Sequence, residues 1–141
     1  MKSFLLKLGL VLVLLASGAF DALAFDGVVL IANSSVPVDS LSADALKDIY
    51  TAKTKYWAGG RAIIIVVLPD KTDAALEQAS GMDGSQFKTF WQRLMFSGRG
   101  SEPKDAVDAA ALVALVASTQ GAIALVPADA ALTGVKKIEI K

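Results

Sequence analysis

Residues Ala62–Leu68, AIIIVVL, constrain the fold of this chain more than any other stretch. The run is apolar throughout and mostly β-branched, and it stands between the Gly59-Gly60 turn and Pro69-Asp70. Its length, residue types and punctuation read as a strand. Asp26–Ala32, DGVVLIA, is a second such run, ending at Asn33-Ser34-Ser35, and Pro37 bars its extension as a central strand. A continuous apolar run of this kind suits a strand covered on both faces. Ala122–Val126 reads as a third strand, closed by Pro127.

The segments between these runs carry helical periodicity. Ser40 and Ser42 offer caps for a helix over Ala43–Thr51, on which Leu46, Ile49 and Tyr50 recur at i, i+3 and i+4. Asp44 in its first turn and Lys53 past its end agree with the helix dipole. Thr72 or Asp73 caps a helix over Ala74–Ser80, stopped at Gly81. The clearest helix begins at Asp83 or Ser85 and carries Phe87, Phe90, Trp91, Leu94 and Met95 as an apolar stripe that must bury itself. Gly98 suits the left-handed position just past its end. Asp105 is expected to cap a helix over Ala106–Ser118, apolar nearly all round, with Val107, Ala111 and Leu115 on its buried face. Val135–Ile140 reads as an edge strand. Strand, helix, strand, three helices, strand is an α/β order.

Ahead of this domain, Met1, Lys2 and Lys7 form a positive start, Leu8–Leu15 an apolar core and Ala22-Leu23-Ala24 a small-residue cleavage pattern. Residues 1–24 are therefore expected to be a signal peptide and residues 25–141 a single periplasmic domain. The apolar core is too short to span a hydrocarbon layer of about 30 Å, so no stable membrane insertion is expected after cleavage. Retention as an uncleaved anchor is the rival reading.

The chain has no histidine and no cysteine. That removes Ser-His-Asp and Cys-His nucleophilic machinery and the usual zinc and copper ligand sets. No catalytic residue, metal or cofactor is expected, and an enzyme would have to work with carboxylates such as Asp70 and Asp73. The 14 basic and 14 acidic residues cancel, which argues against a nucleic-acid partner or an anionic membrane surface.

Three stretches resemble the phosphate-type periplasmic binding proteins of ABC importers: LSADALKDIYTAKTKYWAGG (Leu41–Gly60), FWQRLMFSGRG (Phe90–Gly100) with Pro103, and Thr119-Gln120 with Gly121-Ala122-Ile123. In order and spacing they cover nearly all of Val28–Val126. The chain is similar to a short, one-lobe relative of that family. The resemblance implies an α/β fold, a single lobe of a type II periplasmic binding protein with a central mixed sheet flanked by helices. It also implies a non-catalytic solute-binding role in ABC-type transport, with phosphate or another small oxyanion as ligand and a permease as partner. The departures are specific. The family's glycine-lysine after the first helix is Ala52-Lys53 here, and Gly-Tyr after Ala-Ile is Ala124-Leu125. Where the family carries an arginine followed by Ser-Gly-Thr, this chain has Leu68–Asp73, LPDKTD. A single lobe encloses little of a ligand, so weak affinity is expected unless the chain forms a homodimer. The competing expectation is an accessory envelope module that kept the lobe for protein interaction and lost the ligand.

Five residues are candidates for ligand binding. Thr72, with Lys71 beside it, stands where a strand feeds a helix N-terminus, a place where backbone N–H groups converge on anions; the plainer reading is a helix cap. Ser34 and Ser35 follow the first strand and would face the same crevice, or else satisfy turn backbone. Arg99, between Gly98 and Gly100, would sit in a nest of N–H groups, or else is a solvated charge at a helix C-terminus. Trp91 is assigned to the core, Trp57 to the core edge or the surface, and Lys53 and Lys55 to solvent.

Overall fold

The computed structural model describes residues 25, 27–99 and 101–141. The signal-peptide reading falls on residues 1–24, outside the described residues. In chain order the strands are β1 (Val28–Ala32), β2 (Ser40–Leu41), β3 (Ile64–Val67), β4 (Lys104–Asp105), β5 (Ala122–Pro127) and β6 (Lys136–Ile140). The helices are α1 (Ala43–Tyr50), α2 (Asp73–Ser80), α3 (Gly84–Phe96) and α4 (Ala109–Ser118). The strands form one mixed sheet in the order β2-β6-β1-β5-β3-β4. The three apolar runs of the sequence are its three central neighbours, β1, β5 and β3.

Those strands are apolar on both sides because both sides are covered. β1 turns Leu30 and Ala32 to one face and Ile31 to the other, and β5 likewise divides Ile123 and Leu125 from Ala122, Ala124 and Val126. The first face is covered by α1, α2 and α3 through Leu46, Ile49, Tyr50, Leu76, Phe87 and Trp91. The second is covered by α4 through Leu112, Val113 and Val116. Each large side chain so buried contributes roughly 1.5–3 kcal/mol. The expected α/β architecture with a central mixed sheet is the one observed.

Local chemistry sets most of the boundaries. Ser42 Oγ accepts from the Ala45 N–H (3.0 Å) and starts α1. Asp83 and Gln86 form a reciprocal capping box at the start of α3 (2.8 and 3.1 Å). At its end Gly98, at φ 73°, and Arg99 donate their N–H groups to the carbonyls of Met95 and Leu94, a Schellman closure.

Three expectations are corrected. Asp105 does not cap the last helix: Lys104 and Asp105 pair in parallel with Val66 and Val67, and the Ala106 N–H donates to the Val67 carbonyl (2.8 Å). The backbone therefore stays extended there. The cap is Asp108, whose carboxylate accepts from the Ala111 N–H (2.7 Å), and Val107 is 92% exposed instead of buried. The tail forms β6, which is not an edge, because it lies between β1 and the two-residue β2. The apolar stripe of α3 buries only Phe87 and Trp91; Phe90 and Leu94 are half-buried, Met95 is exposed and Phe96 is 85% exposed. The helix outruns the core it packs on.

The connector between α1 and β3 is tied down by Trp57. Its ring is buried and its Nε1–H donates to the Gly121 carbonyl (2.9 Å). That carbonyl also accepts from the Ile64 N–H (3.1 Å), while the Gly121 N–H donates to Ser35 Oγ (3.0 Å). Gly121 joins three segments at a left-handed φ of 80°, and a β-carbon there would collide with the Ala62 carbonyl.

Candidate functional site: an acidic cleft at the strand ends

β3 ends at Val67, and the chain turns through Leu68–Thr72 into α2. Asp70 takes a left-handed backbone (φ 69°) in this turn, a conformation that Asp tolerates better than most residues. Its N–H donates to Asp73 Oδ1 (3.2 Å). A cleft of about 540 Å³ opens between this turn, the N-terminus of α3 and the segment Glu102–Asp105. Leu76, Phe87 and Trp91 supply its apolar wall. The site lies at the C-terminal end of β3, beside the parallel edge strand β4; strand C-terminal ends are where open α/β sheets take ligands.

Its charge is lopsided. Asp70, Asp73, Asp83, Glu102 and Asp105 line it, against Lys88 as the basic residue. The helix N-termini that face it are already served by the protein's own carboxylates. Asp83 caps α3, and Asp73 Oδ1 lies against Gly84, the first residue of that helix, 3.5 Å from where a β-carbon would stand. Asp73 also stands in the first turn of α2. Places where an anion would otherwise be favoured thus hold negative charge from within the chain.

The five sequence-predicted residues are not gathered here. Thr72 is buried, and its hydroxyl donates back to the Leu68 carbonyl (3.2 Å) instead of capping α2. Lys71 is exposed beside it. Ser34 and Ser35 lie at the other end of the sheet: Ala32 pairs with Ile123, which pairs with Ile65, so the chain leaving β1 runs toward the start of β3. There Ser35 accepts from Gly121, and the buried Asn33 side chain donates to the Val116 and Ala117 carbonyls (2.8 and 2.9 Å). The expectation that both serines face the crevice after β3 is therefore corrected. Arg99 lies elsewhere again. The N–H groups of Gly98 and Arg99 are taken up in closing α3. Arg99 instead lines a recess of about 390 Å³ together with Lys55.

Sequence reasoning missed Asp83, Glu102, Asp105 and Lys88 as cleft residues and Lys55 as a recess residue. Glu102-Pro103 directly after the Ser97–Ser101 loop was the available signal for the first group. Among the described residues no group of three or more His, Cys, Asp or Glu side chains is placed to hold a metal ion. Nor is any described helix long and apolar enough to cross a membrane.

A mixed sheet covered by helices on both faces, with a crevice at its parallel strand ends, is the plan of one lobe of a solute-binding protein. The sequence pattern of the PBP superfamily domain matches residues 19–139, and the chain belongs to that family. Among solved structures, a phosphate ABC transporter substrate-binding protein with bound phosphate from Clostridium perfringens shares 21% identity at a TM-score of 0.61, over 81% of this chain and 44% of that one. An ABC-type phosphate transport receptor from Vibrio cholerae shares 17% at 0.55, over 81% and 46%. A phosphate-binding protein from Stenotrophomonas maltophilia shares 19% at 0.54, over 82% and 39%. At these identities the likeness is one of fold, and the chain spans less than half the length of each of these structures. No curated protein matches it.

Proposed function

We propose that this domain is a non-catalytic, extracytoplasmic solute-binding lobe that serves ABC-type transport. The observation that carries the reading is the cleft of about 540 Å³ at the exit of β3 and beside β4, with its apolar wall and polar mouth. Family membership supports the role, and the leader-like first 24 residues support the location. Phosphate is the first solute to test, because the structural neighbours are phosphate transport and phosphate-binding proteins. The carboxylates around the cleft make binding of a free dianion weak, and one lobe adds little enclosure.

Isothermal titration with phosphate and with sulfate tests the reading. Millimolar affinity for either, lost when Lys88 is replaced by glutamate, is the expected result; no heat from either at about 10 mM would remove oxyanion binding at the cleft. A second reading, a protein-interaction module, is favoured by the exposure of Phe96 and Val107. Its mark would be an envelope protein that co-purifies with the wild type and is lost with Phe96→Ser. A strict monomer that captures nothing counts against it.

A further inference from the structure

We propose that the recess between Lys55 and Arg99 is a second binding site, for a small molecule that carries one oxyanion group on an apolar body. The recess exists because β4 is short. Its two residues pair only with Val66 and Val67, so Ser101 runs beside Ile63 and Ile65 without a ladder between them, and a space of about 390 Å³ is left. Ile49, Ile63, Ile65 and Trp91 form its apolar walls. Lys55 and Arg99 are its charged residues, with hydroxyls from Thr54, Tyr56 and Ser101, and among the described residues no carboxylate lines it.

Both cations stand on pinned backbone. The Lys55 carbonyl accepts from the Ile63 N–H (2.9 Å), and Tyr56 bridges to Ala62. Arg99 is held by the closure of α3 described above. Neither cation is neutralised, because the one ion pair among the described residues joins Lys136 and Asp39 (3.0 Å). A cation serving only the negative end of α3 would account for Arg99 but not for Lys55, nor for a recess between them with Ile and Trp in its walls. An oxyanion there would meet a planar guanidinium fork and an ammonium, and the partly apolar walls raise the strength of those contacts above their value in water. Walls of Ile and Trp favour a hydrocarbon or aromatic body attached to the anion. Carboxylates and phosphate monoesters share this chemistry. The site is separate from the acidic cleft and does not rest on the function proposed for it, although Trp91 forms a wall of both.

Chemical-shift titration of the isotope-labelled protein with phenyl phosphate, phenylacetate, inorganic phosphate and benzyl alcohol tests the proposal. Phenyl phosphate is expected to saturate with a dissociation constant on the order of 1 mM, shifting the Thr54, Lys55 and Ser101 amides and the Trp91 indole. Phenylacetate should move the same signals, while inorganic phosphate and benzyl alcohol each bind at least about tenfold more weakly, lacking the apolar body or the charge. Arg99→Gln and Lys55→Gln should each weaken phenyl phosphate about tenfold, whereas Lys137→Gln, an exposed charge on β6, should change it by less than about twofold. A circular dichroism spectrum that stays native shows that the variants fold. Shifts centred on Asp70–Asp73 and Gly84, no saturation at about 20 mM, or indifference to both Gln variants would each overturn the site. Loss of phosphate binding at the cleft would leave this result untouched, so the two readings fail separately.

Discussion

Ala52 shows how one residue can record both descent and strain. It occupies the left-handed position just past α1 (φ 62°), where the Ala52 and Lys53 N–H groups close the helix onto Ile49 and Asp48 carbonyls. The family resemblance places a glycine there, and the closure is the one glycine favours. Ala52→Gly should therefore raise stability by about 1 kcal/mol, read as a shift of the urea midpoint without a change in slope. Tyr50 presents the opposite case, a buried polar atom with no partner. Its ring packs on Phe87 at a centroid distance of 6.1 Å, but its hydroxyl is buried without a hydrogen bond. Tyr50→Phe should leave stability unchanged or raise it by up to about 1 kcal/mol; a loss larger than that would reveal a hidden partner. Burial also holds the Tyr50 phenol well above its ordinary value of 10.0. An acid raised in the folded state contributes stability that is present below the unfolded value and declines as pH rises past it, because the unfolded phenol ionises first. Unfolding free energy should thus fall above about pH 10 in the wild type and less steeply in Tyr50→Phe, as denaturant titrations at several pH values would show.

At the scale of elements, the boundary of α4 separates what a periodicity can reveal from what it cannot. Asp105 and Asp108 are both good cap residues, and both precede an apolar run. The choice falls to Asp108 because the edge of β3 recruits residues 104–106 first. Asp108→Ala should accordingly cost about 1 kcal/mol, while Asp105→Ala should stay within about 0.5 kcal/mol, compared by chemical denaturation. The long apolar runs and helices α1, α2 and α3 were legible because their signals are local. β2 and β4 were not, since two polar-flanked residues become strands only when a neighbour offers an edge. The same holds for the candidate site: a turn rich in Asp was visible at Pro69–Asp73, but not its company of Asp83, Glu102 and Asp105.

At the scale of the whole molecule, a net charge of zero conceals segregation. Carboxylates gather at the exit of β3 and along β4, whereas Lys55 and Arg99 stand at the recess that shares Trp91 with this cleft. The potential at the cleft should therefore resist anions more than the sequence total suggests. The double variant Asp70→Asn, Glu102→Gln should bind phosphate several-fold more tightly at the cleft, and the gain should shrink as salt rises from about 20 to about 200 mM. Asn suits the left-handed turn that Asp70 occupies, so the exchange preserves the backbone. Titration calorimetry at both salts measures the effect, and equal affinity in the two proteins would show that these carboxylates do not act on the ligand.

What the amino-acid order determined by itself was the α/β class, the three central strands and helices α1–α3. These follow from apolar period and capping chemistry, which act over a few residues and are written in sequence. Only the tertiary structure decided which way the central strands run beside one another. That direction sends Ser34 and Ser35 away from Thr72, and brings residues far apart in the chain, such as Lys55 and Arg99, to one recess. Sheet order and register arise from contacts between distant segments, and charge acquires a direction only once they are made.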